Sequence, residues 1–86
     1  PILISEIQIY PTNQRFIELY NPNNFDVDLG GYYLQRKTQS ASSFTSLVSK
    51  TYFEGKIIPA KGFLLISNFK RGSTKFRHCY FKFNFN

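Results

Sequence analysis

"FIELYNPNNFDVDLGGYYL", residues 16–34, decides the fold. Phe16, Glu18 and Tyr20 alternate with Ile17 and Leu19, the period of two that a half-buried strand requires. Asn21-Pro22-Asn23-Asn24 then turns the chain: proline presets φ at the first central position, and asparagine accepts left-handed backbone while bonding its own main chain. Asp28 and the pair Gly30-Gly31 mark a second corner, after which Tyr32 to Lys37 again have strand character. Asn21, Asn23, Asn24, Asp26 and Asp28 also carry enough oxygens for a calcium ion, which takes about six to eight. Their spacing lacks the closing bidentate Glu of the EF-hand loop, and each has a turn-forming reason to be there. Asn21, Pro22, Asn23, Asn24, Asp28, Gly30 and Gly31 therefore read as a structural corner, with no metal.

Toward the N-terminus, "ILISEIQIY" (2–10) is rich in β-branched residues and reads as a strand. A strict period of two puts Leu3, Ser5, Ile7 and Ile9 on one face and Glu6 and Gln8 on the other. Pro11-Thr12-Asn13 ends it, which makes the strands before and after antiparallel neighbours. Toward the C-terminus, the Ser/Thr-rich stretch 38–51 reads as a surface loop carrying a short strand near Phe44–Val48. Pro59-Ala60-Lys61-Gly62 turns the chain into Phe63-Leu64-Leu65-Ile66, a continuous apolar run that fits a buried strand. No segment sustains a 3.6-residue pattern. The class is all-β, an antiparallel sandwich or barrel.

Composition agrees with one small domain spanning residues 1–86. Hydrophobic residues make up 42% and aromatic residues 19%, enough for a folded core. A single cysteine, Cys79, excludes an intrachain disulfide framework and a multi-cysteine zinc site. No run approaches a membrane span, and no signal peptide opens the chain. Its first residue, Pro1, is what a processed product or an excised piece would show. The net charge of +6 is split: residues 1–34 carry a net −3 and residues 35–86 a net +9. Lys70, Arg71, Lys75, Arg77 and Lys82 lie in a closing stretch without an acid, a pattern that suits an anionic partner or a solvated face.

Three ordered motifs resemble the lamin tail domain, with the likeness nearer to its bacterial branch. They are Ile4-Ser5-Glu6-Ile7, then Phe16 to Asn21 with Val27-Asp28-Leu29-Gly30-Gly31-Tyr32, then Ile58-Pro59-Ala60-Lys61-Gly62. The likeness covers residues 2–68. Tyr32 stands where the family usually has tryptophan, and Ala60-Lys61 extends the last turn. The resemblance implies an immunoglobulin-like β-sandwich and placement outside the cell or at its surface. Residues 69–86 depart from the family pattern. Either "CYFKFNF" is a divergent closing strand, with Cys79, Phe81, Phe83 and Phe85 on one face, or the segment is foreign and the sandwich is incomplete at the C-terminus.

Catalytic constellations are missing from the sequence. Glu6 and Glu18 could face each other across neighbouring strands as an acid/base pair, but an exposed strand face with Arg15 nearby is the ordinary reading. His78 and Cys79 are adjacent, so on a strand they point apart. The Gly/Lys stretches do not follow the phosphate-loop order. The function expected is a non-catalytic structural or interaction module of a larger protein, without cofactor or small-molecule substrate, serving a protein or cell-surface polymer. Two alternatives remain open. One is a nucleic-acid-binding domain using Lys70, Arg71, Lys75, Arg77 and Lys82 with the interleaved aromatics, which the resemblance permits because some family members bind DNA. The other is an accessory domain of a secreted hydrolase or nuclease.

Overall fold

The computed structural model describes residues 1–8, 14–67 and 79–85. Among these residues eight strands and one α-helical turn follow in order: β1 Leu3–Gln8, β2 Phe16–Tyr20, β3 Val27–Asp28, β4 Tyr32–Thr38, β5 Thr45–Val48, α1 Lys50–Phe53, β6 Ile57–Ile58, β7 Phe63–Ser67 and β8 Cys79–Phe85. They form three antiparallel sheets: β1-β2-β7, the short β3-β6 ladder, and β5-β4-β8. Ile17, Leu19 and Ile66 of the first sheet meet Leu34 and Val48 of the last, with Leu29, Ile58 and Phe53 filling the space between. Two facing sheets with apolar inner residues are the layers of a sandwich. The chain is an all-β, immunoglobulin-like β-sandwich.

β2 keeps the expected alternation, with Ile17 and Leu19 fully buried. β1 does not. Its register runs Leu3↔Tyr20, Ile4↔Leu19, then Glu6↔Glu18 and Ile7↔Ile17, so Ser5 is an extra residue opposite no partner. This bulge shifts the parity of the strand: Ile4 lies opposite buried Leu19 before it and Ile7 opposite buried Ile17 after it, Ile7 itself staying exposed at the sheet margin, while Leu3 and Glu6 share the outer face. A strict period of two over residues 3–9 therefore fails at Ser5, whose Oγ donates to the Glu18 carbonyl and to Glu18 Oε1.

Four residues, Lys50–Phe53, make a helical turn where only loop was expected. One turn is too short to show a 3.6 period in sequence. Its purpose is visible in Phe53, which is fully buried and lies edge-on to Phe83, with ring centroids 5.2 Å apart. Glu54, at φ −61° and ψ 130°, ends the turn in extended backbone.

β8 pairs with β4 along its whole length, from Tyr32↔Phe85 to Thr38↔Cys79. Phe81 and Phe83 pack against the core, and Phe83 stacks on Tyr32 at 4.7 Å, so Tyr32 fills an aromatic position between strands. Each such aromatic pair adds about 0.5–1.5 kcal/mol beyond its burial.

Candidate functional site

The corner's oxygens at Asn21, Asp26 and Asp28 are engaged by hydrogen-bond donors of the chain itself, the Asn21 amide from a buried position and the two carboxylates from exposed ones. Asn21 is fully buried; its Nδ2 donates to the carbonyls of Phe25 (2.8 Å), Ile58 (2.9 Å) and Pro59 (3.1 Å), and its Oδ1 accepts from the Asn23 backbone N–H (2.9 Å) and side chain (2.8 Å). Asp26 Oδ1 accepts from the Ala60 N–H, and Asp28 Oδ1 from the Gly30 N–H. Pro22 contributes a carbonyl that takes the Lys61 ammonium at 2.8 Å, while Asn24 is exposed. Leu29 to Tyr32 close a turn through the Tyr32 N–H and the Leu29 carbonyl, with Gly31 at φ 91° in the position where a type II turn demands glycine. The corner is thereby stitched to the turn at residues 58–62, where Lys61 itself sits at φ 58°. Among the described residues no three His, Cys, Asp or Glu side chains come together.

What the sandwich offers to a partner is its two outer faces. On β1-β2-β7 the register sets three rows across the sheet: Leu3, Tyr20 and Phe63; then Glu6, Glu18 and Leu65; then Gln8, Phe16 and Ser67. Leu3, Phe63 and Leu65 are 50%, 57% and 54% exposed. Tyr20 and Phe63 lie against each other, with centroids 4.7 Å apart. The run Phe63–Ile66, expected to be buried on both sides, is buried only through Leu64 and Ile66. A continuous apolar run conceals its alternation, because both faces read alike. Arg15, expected beside the glutamates on an exposed face, is instead buried, where a guanidinium needs partners, and it has them. Glu6 and Glu18 are left directly opposite each other, an unfavourable arrangement for like charges.

On β5-β4-β8 the outer rows are Tyr33 with Asn84, then Ser46, Gln35 and Lys82, then Lys37 with Tyr80. Lys82 Nζ sits 4.4 Å from the centre of the Phe44 ring, and Lys37 Nζ sits 5.2 Å from that of Tyr80 while donating to the Ala41 carbonyl. Asn84 Nδ2 donates to Gln35 Oε1. Of the basic residues singled out from sequence, only Lys82 falls on this face; Lys70, Arg71, Lys75 and Arg77, with His78, lie outside the described residues. Lys37 was not singled out, because nothing but the pairing of β4 with β8 brings it to Lys82.

A small sandwich with a stitched corner and two decorated sheet faces is the scaffold of an interaction domain. The lamin tail domain model matches residues 1–83, and the chain belongs to that family of immunoglobulin-like interaction modules. The match passes residue 68 and ends within β8. None of the curated proteins and none of the solved structures compared with the chain matches it. No helix among the described residues is long and apolar enough to cross a membrane.

Proposed function

We propose that this domain is a non-catalytic module that holds a protein partner through the outer face of β1-β2-β7. The observation that carries this reading is the exposure, on one face, of Phe63 and Leu65 side by side on β7 and of Leu3 across Tyr20 on β1, in a protein that has an interior for such side chains. Burying a leucine or phenylalanine is worth about 1.5–3 kcal/mol each, so a contiguous group left outside marks a contact surface. A photo-reactive amino acid placed at Leu65 in the parent protein should give discrete cross-linked products in cells, and one at exposed Glu54 should give none. Absence of products at Leu65 overturns the reading.

A second reading, nucleic acid on β5-β4-β8, draws on Lys37 and Lys82 beside Tyr80 and Phe44. Lysines over aromatic rings suit phosphates and stacked bases. Two phosphate contacts give a log–log salt slope of about −1.4 on single strands, and five about −3.5. Titrating a labelled oligonucleotide at several salt concentrations separates these from no binding at all.

A further inference from the structure

The two outer faces complement each other. One carries two carboxylates, Glu6 and Glu18, in its central row, with the apolar row Leu3, Tyr20 and Phe63 on one side and Gln8, Phe16 and Ser67 on the other. The other carries Lys82 in its central row and Lys37 in the next, with Tyr33 and Tyr80 to either side. Both are three strands wide. Strands everywhere lie about 4.8 Å apart and residues on one face recur about every 6.8 Å along them. Rows on one sheet can therefore lie over rows on the other without adjustment of the backbone, as they do when sheets stack face to face.

We propose that the β1-β2-β7 face of one copy docks on the β5-β4-β8 face of a second copy. This rests on the interaction-module reading and names the partner as another copy of the domain. Laying central row on central row brings Lys82 to the Glu6–Glu18 pair and relieves the like-charge opposition within the first sheet. It also sets one tyrosine against the Leu3, Tyr20 and Phe63 row and the other against Phe16. The two faces differ, so the contact is heterologous: one copy is left with a free β5-β4-β8 face and the other with a free β1-β2-β7 face, and copies add head to tail. A contact three strands wide and about five residues long spans roughly 15 by 17 Å. That is about 250 Å² on each copy, well below the roughly 800 Å² per partner of a standard interface, so the single contact is weak, with a Kd of about 100 μM, and strengthens where many domains are held close together.

The test is sedimentation equilibrium of the 86-residue chain at low salt, with circular dichroism to confirm that each variant is folded. The weight-average mass should climb above the 10.1 kDa monomer between about 10 μM and 1 mM, and about 0.5 M salt should weaken the association about tenfold. E6K/E18K makes both faces positive and K37E/K82E makes both negative. Each variant alone should stay monomeric, and an equimolar mixture should associate again, because each reversed face now meets an opposite one. E6Q/E18Q and K82E are milder versions for use if a reversal disturbs folding, and each should lower association by about tenfold. A wild type that stays monomeric at 1 mM overturns the proposal, as does association that survives both reversals or a mixture that fails to recover. If cross-links to other proteins form at Leu65 while the purified chain stays monomeric, self-docking is wrong and the module reading stands.

Discussion

The corner at residues 21–31 and the outer face of β1-β2-β7 invert the usual arrangement in opposite senses. At the corner a polar side chain, Asn21, is buried completely and both ends of its amide are bonded. On the sheet, Leu3, Phe63 and Leu65 stay in water. Burying an amide is tolerable only when its hydrogen bonds are replaced, and the corner replaces them with four separate backbone groups and one side chain. Leaving apolar surface in water costs stability and has no structural return in the isolated domain. The chemically rich segment is thus the one with architectural work, and the plain strand is the one available to a partner.

Substitutions that break this contrast should have graded effects. The largest is expected from Asn21→Ala, which takes the amide donor from the carbonyls of Phe25 and Ile58 and the acceptor from the N–H of Asn23, while the Pro59 carbonyl keeps the Gly62 N–H. Several buried groups at about 1–3 kcal/mol each would consume most of the stability of so small a domain, and urea denaturation should find the variant largely unfolded without denaturant. Gly31→Ala comes next. A Cβ there would lie 2.7 Å from Phe85 Cε1 at a backbone φ of 91°, so a loss of about 2–3 kcal/mol is expected in the same assay. Asp28→Ala removes only the acceptor for the Gly30 N–H at an exposed site, and about 1 kcal/mol should be lost. Smallest is Leu65→Thr, which leaves the Tyr20–Phe63 ring contact in place and exchanges a half-exposed side chain for a β-branched one, so stability should move by less than about 0.5 kcal/mol. That variant should keep its melting temperature and weaken both cross-linking at Leu3, across β2 on the same face, and self-association. A large drop in melting temperature would show that this side chain serves the fold after all.

The same contrast explains what could be read from sequence. Strand alternation at Ile17/Leu19 and the turn chemistry of Asn21-Pro22 and Gly30-Gly31 reflect local backbone rules and were enough to reach an all-β sandwich or barrel, and the immunoglobulin-like form followed from the resemblance of the three ordered motifs to the lamin tail domain. The face of β1 was not legible, since the Ser5 bulge is defined by its register against β2, a relation between distant segments. Nor was the outer surface. Phe63 and Leu65 look the same as Leu64 and Ile66 until one knows that a second sheet covers only one side. Lys37 gains its place beside Tyr80 only through the pairing of β4 with β8.

The bulge has a further consequence. β1 and β5 are both sheet margins, and each carries one supernumerary residue, Ser5 in one and Leu47 in the other. Deleting Ser5 would leave every other side chain of β1 on its present face and would convert the strand into a regular, straight ribbon. A straight ribbon at a margin is a template on which further chains can add strand by strand until a fibril grows. Carrying a residue that spoils the ladder lets the domain display sticky faces while opposing growth along two of its four margins, β1 and β5.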